Sequence, residues 1–279
     1  MNNALRTAAF MFLIAGVAFA ADNRKELKYN LAAGGSLTIV NENGPVSVKG
    51  GPGRQVTVVA TTHSDKVEVD GNQYGNRVDV RTRALQKASG NDGRVDYEIT
   101  VPQDTSITVR AAGGPITVEK MRGDVMLEGD SAQVEVRDVA NAHVHVRTLA
   151  GTITLRSVEN GHIEVSSVNG DIRLSNVNGQ KLSVNTTKGN IVYDGAVAQN
   201  GDYDFITNSG NIDVTLPASA SVYLSARSVS GSVENGFPLQ QTQPSVAPSS
   251  ARTLVGTSNT AGSAVNLRSF SGKIRVKKQ

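Results

Sequence analysis

The chain has 279 residues, a formal net charge of +3, 28 glycines, no cysteine and no tryptophan. A charge this close to balance leaves no basic footprint for nucleic acid, and a chain without cysteine has no disulfide framework and must be held by packing. With only 6 Phe and 6 Tyr, an aromatic platform for sugars is also thin.

Residues 1–20 read as a secretory signal. MNNALR carries one cation, TAAFMFLIAGVAFA is apolar or small throughout, and Ala18-Phe19-Ala20 is the small-x-small pattern of a cleavage site before Ala21. A spanning helix needs about 20 apolar residues, more than this run offers. No second long apolar run follows, so the mature chain is expected to lack a transmembrane span.

Residues 21–110 hold strands without a clean repeat: LTIV at 37–40, VSVKG at 46–50, QVTVVATT at 55–62, KVEVDG at 66–71, RVDVRT at 77–82 and VDYEITVP at 95–102. Ala88 to Arg94 is polar and reads as a turn. The region is expected to form irregular β coils and a cap, because a stack of repeats must protect its open edges.

Residues 111–236 repeat. GTITL, GHIEV, GDIRL, GNIVY and GNIDV begin at Gly151, Gly161, Gly170, Gly189 and Gly210, so a rung recurs about every 9 or 10 residues. In a strand, residues two apart share a face. Ile153/Leu155, Ile163/Val165, Ile172/Leu174 and Ile212/Val214 therefore point one way, and Thr154, Glu164, Arg173 and Asp213 the other. Val158, Val168 and Val177 come three residues later and predict a bend that keeps each valine inward. Asn-Gly at 160–161, 169–170, 178–179 and 200–201 predicts tight turns with positive φ. A sandwich of hairpins also spaces strands this way, but it has no reason to repeat residue types at fixed rung positions. The reading is all-β: a single-stranded β-solenoid or β-roll of stacked rungs, two rungs per coil and about 19 residues per turn.

Residues 237–262, rich in Pro, Ser, Thr and Gln, predict a mobile loop. Residues 263–279 return to alternation, SGKIRV echoing SGNIDV, and are expected to close the stack.

In order, GGSLTIVNENGPVSVKG at 34–50, YEITVP at 97–102, RAAGGPITVEKMRGDVMLEG at 110–129, TNSGNIDVTLP at 207–217, RSVSGSV at 227–233 and NLRSFSGKIRV at 266–276 resemble the bacterial "putative adhesin" family, a domain of unknown function with repeated SGDI-x-V rungs. The resemblance covers roughly residues 30–279. It implies a β-solenoid and an envelope or surface setting, and it supplies no catalytic residues.

Candidate chemistry is sparse. His143 and His145 in AHVHVR share a strand face at a spacing suited to a metal clasp, and His162 lies one coil onward; a polar pair on a solvated strand face is the preferred reading of the first two. Calcium repeats of the G-G-x-G-x-D type are absent, and Asp171, Asp202, Asn190 and Asn211 after rung glycines suit turn capping. Glu164, Asp204 and Asp213 occupy outward positions and could gather as paired carboxylates for glycan cleavage, which needs two carboxyls about 5–9.5 Å apart. Lys273, Arg275, Lys277 and Lys278 place four cations on the last strand, either to meet anionic envelope material or to protect an exposed strand edge. These seven residues are the candidate surface contacts; no catalytic residue, metal or cofactor is assigned.

The functional expectation is an exported, non-enzymatic protein of the periplasm, cell envelope or extracellular space. It would act as a binding or adhesion scaffold for an envelope polymer, glycan or protein. The alternatives are a polysaccharide-active enzyme of solenoid fold and a structural, stress-response envelope protein.

Overall fold

Rungs that alternate aliphatic and polar residues have one face to hide, and the computed structural model shows them hiding it in a common interior. It describes residues 23–87, 90–240 and 252–279. The secretory-signal reading therefore lies outside the described residues.

The chain winds as a β-solenoid with two walls of strands. In one wall Ile153 and Leu155 lie beside Ile172 and Leu174, which lie beside Ile191 and Tyr193, then Ile212 and Val214, then Ile274 and Val276, all in parallel register. In the other, Val144 and Val146 are followed by Ile163 and Val165, Leu182 and Val184, Tyr203 and Phe205, and Val265 and Leu267. Ile153 to Ile172 is one coil of 19 residues, the period expected from two rungs. Strands Ile153–Asn169 and Ile172–Lys188 run unbroken through a corner from one wall into the other. The inward residues form one hydrophobic cluster from Leu31 to Val276. Tyr193 of one wall meets Phe205 of the other with ring centroids 5.2 Å apart. Burying each such side chain contributes roughly 1.5–3 kcal/mol.

The corners explain the glycines. A Cβ on Gly170 would lie 2.0 Å from the carbonyl oxygen of Gly151, one on Gly189 2.1 Å from that of Gly170, and one on Gly210 1.9 Å from that of Gly189. Successive coils thus touch backbone to backbone, and only a hydrogen fits. The expected positive-φ turns occur at two of the four Asn-Gly pairs, and on the asparagine: Asn160 at 56° and Asn200 at 57°. Gly161 serves close approach instead, its Cβ direction meeting the Ala142 carbonyl oxygen at 2.5 Å.

A second correction concerns the corner valines. Val158 and Val177 are buried, but Val168 is 41% exposed and Ser167 points inward in its place. The inward position belongs to a column of hydroxyls. Thr186 donates to the Gly170 carbonyl at 3.2 Å, Thr207 to Gly189 at 3.1 Å and Ser269 to Gly210 at 3.1 Å. Each satisfies a corner carbonyl that an aliphatic side chain would strand without a partner.

At the ends, chain order and spatial order part. Strand Ser36–Asn41 sits between Arg77–Ala84 and Ser106–Gly113, and Val46–Gly51 sits between Val95–Pro102 and Ile116–Glu119. Beyond them, Asn23–Asn30, Gln55–Thr62 and Val67–Tyr74 join by antiparallel pairing. The other end mirrors this. The last segment, Ser263–Ser271 and Ile274–Lys278, does not close the stack; it is inserted before the coil formed by Val222–Ser228 and Val233–Asn235. Of the expected loop at 237–262, residues 241–251 lie outside the described residues; on either side of them Phe237 is buried, and Thr253–Ser258 is a strand lying antiparallel to Val222–Ser228. It burial-alternates weakly, Gly256 and Ser258 facing in, so its sequence carries little apolar signal.

Candidate functional site

Parallel in-register stacking turns outward residues into rows that cross the strands about 4.8 Å apart. Several charges on these rows are answered by the next coil: Arg110 with Glu128 at 2.9 Å, and Glu119 with Arg137 at 2.7 Å and Lys49 at 3.1 Å. The Lys49 hydrogen bond and the Arg137 guanidinium hold the Glu119 carboxyl below the usual carboxylate range.

The three predicted carboxylates do not gather. Glu164 and Asp204 lie on one wall, two coils apart through Ser183, which is about 9.6 Å at strand spacing. Asp213 lies on the opposite wall. Asp204 pairs with Arg268 at 3.4 Å, and Asp213 holds Arg275 in a two-bond fork, one arm at 2.7 Å. Each of the three carboxylates is thus engaged by a basic neighbour, Glu164 by His145, Asp204 by Arg268 and Asp213 by Arg275, and only two of them share a wall.

The tail cations are redistributed too. Strand Ile274–Lys278 pairs along its length with Ile212–Leu216, and Val233–Asn235 covers its other side over Ile274–Val276, so Arg275 is not on an open edge, whereas Lys277 and Lys278 are paired on one side alone. Lys273 pairs with Glu234 at 2.7 Å and Arg275 with Asp213. Lys277 and Lys278 make no ion pair among the described residues.

Two arrangements stand apart from the ladders. The first is a square of side chains on one wall. Coil register sets His143 beside His162 and His145 beside Glu164. The two paired imidazoles stack with centroids 4.7 Å apart and planes 11° apart. Glu164 Oε2 is 3.3 Å from His145 Nδ1, and Oε1 is 3.1 Å from His162 Nε2. Burial pushes the Glu164 carboxyl up, but the His145 hydrogen bond and the charges of His162, His145 and His143 leave it below its ordinary value. Sequence spacing brings out the histidines, 19 residues apart at one rung phase; that Glu164 belongs with them follows only from the register.

The second is a cleft of about 450 Å³ on the same wall toward the C-terminal end, lined by Ile206, Phe270, Val229, Arg227 and Arg268. Phe270 is 57% exposed, and Arg227 has no ion pair among the described residues. Sequence reasoning missed this cleft. The signal is present, since Ile206 and Phe270 are large apolar residues at outward phase next to inward Phe205 and Ser269.

Rungs stacked in register, glycine corners and hydroxyl-capped coils define a β-solenoid presenting broad side-chain arrays. The chain belongs to the Toastrack DUF4097 family, whose profile matches residues 35–277. Among solved structures it is similar to a "putative adhesin" of Bacteroides fragilis, at 11% identity and a TM-score of 0.48, covering 92% of this chain and 98% of that one. It is also similar to a "putative cell adhesion protein" of Clostridium sporogenes, at 14% identity and a TM-score of 0.34, covering 92% and 100%. A "putative lipid binding protein" of Parabacteroides distasonis matches at 11% identity and a TM-score of 0.43, covering 92% and 97%. No curated protein matches the chain.

Proposed function

We propose that the protein is exported and works in the cell envelope or at the cell surface as a non-enzymatic binding scaffold. It holds an envelope polymer, glycan or protein against the outward face of the solenoid. The observation that carries this reading is the cleft beside Phe270: an exposed apolar floor with two guanidinium groups on a continuous sheet. Large apolar side chains held in water mark contact surfaces when they cluster, and arginine and aromatics are the residues such surfaces favour. No helix among the described residues is long and apolar enough to cross a membrane.

The test is co-sedimentation of residues 21–279 with isolated envelope fractions at low and high salt. The expected result is saturable binding that survives high salt and falls at least tenfold in Phe270→Asp, with little change on truncating Lys277–Gln279. Binding abolished by salt and by the truncation would reduce the interaction to charge attraction, and turnover of an envelope polymer would overturn the non-enzymatic reading.

A further inference from the structure

We propose that His143, His162 and Glu164 form a binding site for a late first-row divalent metal ion, zinc or copper(II), with His145 as the residue that positions Glu164. The ligand atoms of the first three all lie within 4.8 Å of one another. Ligands at metal–nitrogen distances near 2.0–2.1 Å, tetrahedrally arranged, sit about 3.3 Å apart. Side-chain rotation on an open sheet face covers the difference without moving the backbone.

The charge-ladder explanation that serves elsewhere fails here. Elsewhere on the walls, ion pairs join a cation in one coil to an anion in the next, as Arg110 with Glu128 and Glu119 with Arg137. The square instead sets three imidazoles against one carboxylate, two of them face to face. As imidazolium ions those two would repel; as neutral rings they gain nothing from Glu164 as an ion pair. A dication reverses the account, because neutral imidazole nitrogen and ionised carboxylate are what a metal takes.

A second observation points the same way. His162 Nε2 is shielded from solvent and makes no hydrogen bond, although Glu164 Oε1 is 3.1 Å away. The distance suits a hydrogen bond and the direction does not. His162 Nε2 and Glu164 Oε1 thus lie close together without bonding to each other, an arrangement that a shared ion would complete. A shielded polar atom without a partner calls for such an explanation.

The donors select the metal. The set is nitrogen and oxygen without sulfur, since the chain has no cysteine; imidazole suits zinc, copper and nickel, and affinity rises toward copper(II). Glu164 uses its second oxygen on His145 Nδ1 at 3.3 Å, which fixes the carboxylate as outer-shell partners fix ligands in metal sites. Asp124 accepts from the backbone N–H of His143 at 3.0 Å, anchoring that end of the strand. Three protein ligands on a solvent-facing sheet leave a coordination position for water or for a donor from outside the chain. Lys181, paired beside His162 in the next coil, is the opposing charge.

The experiment titrates metal-free residues 21–279 with zinc and with copper(II) by calorimetry, and with cobalt(II) followed by visible absorption. One ion per chain is expected, with copper(II) tighter than zinc and cobalt giving the intense spectrum of a four-coordinate site. His162→Ala and Glu164→Gln should each weaken zinc at least tenfold. His145→Ala should weaken it about 10–100-fold, the range for outer-shell partners, while retaining the one-to-one stoichiometry. His63→Gln, which removes the histidine outside the square, should change nothing. The metal-free variants' unfolding midpoints establish that they fold, since all four side chains stand on the surface. Binding of several ions at similar affinity, zinc affinity indifferent to His162→Ala and Glu164→Gln, or a six-coordinate cobalt spectrum without imidazole ligation would overturn the site.

Discussion

The middle of the solenoid and its two ends obey different rules. Between Val125 and Asp194 each parallel strand pairs with the strands one coil before and after it in sequence, so the repeat period alone fixes the register. At each end the chain overshoots, returns and inserts a coil one place in, and antiparallel strands cover what lies outside. An unpaired strand edge is a template for aggregation. Threading the first and last regular coils inside the stack pins them on both sides. The periodic middle supplies rigidity, and the aperiodic ends supply termination.

Large-to-small replacements should separate the two regimes most widely. Phe205 is fully buried in the middle, packed on Tyr193 across the interior. Phe205→Ala should cost about 3–5 kcal/mol, because coils locked by two walls cannot collapse into the cavity. Phe237 is equally buried but stands at the C-terminal end, where only one side is backed by a coil; Phe237→Ala should cost visibly less. Urea unfolding of both variants decides it, and equal losses would show that the end is as constrained as the middle.

A smaller effect is expected at the glycines. Gly170→Ala drives a Cβ to 2.0 Å from a backbone carbonyl, and overpacking of this kind costs about 3 kcal/mol. Gly53, in a turn near the N-terminal end, has φ +95° but nothing within 4 Å of its Cβ direction. There Ala pays only the backbone strain, about 1 kcal/mol. A thermal-shift difference between the two variants would confirm that corner glycines are chosen for space and turn glycines for conformation.

This contrast also sets what the sequence reveals. The solenoid, its coil length and its inward residues are readable, because GTITL, GHIEV and GDIRL state the period directly. What stays hidden depends on the third dimension. Val168 and Ser167 are both plausible inward residues until the corner carbonyls are seen to need a hydroxyl. Arg275 looks like part of an edge until Val233–Asn235 is found outside it. Glu164 looks like one of three carboxylates until register sets it beside His145, and Asp213 looks like its companion until the coil carries it to the other wall. Ile206 and Phe270 break phase visibly, but a break in phase gains meaning only when two of them meet. Repetition is a local property and survives in the sequence, whereas adjacency between coils of unequal length does not.

The smallest expected effect is electrostatic and falls toward the N-terminal end. Asp96 is pushed up by burial, but hydrogen bonds from Arg94 and His63 and their charges leave its carboxyl below its ordinary value. Glu119, only 13% exposed, is lowered chiefly by its hydrogen bond from Lys49 and ties three coils together through Arg137. A carboxyl lowered in the folded state contributes stability that is complete above its unfolded value, about 4, and is lost as pH falls through the folded value. Unfolding midpoints should therefore hold steady down to about pH 5 and decline below it. Glu119→Gln should flatten that decline, at a cost near neutral pH under about 1 kcal/mol, since its lysine and arginine partners are half exposed and solvent screens the pair. Hydrogen exchange at pH 4 should show Val95–Pro102 opening before Ile172–Lys188. The reverse order would mean that the middle, not the end, yields first to acid.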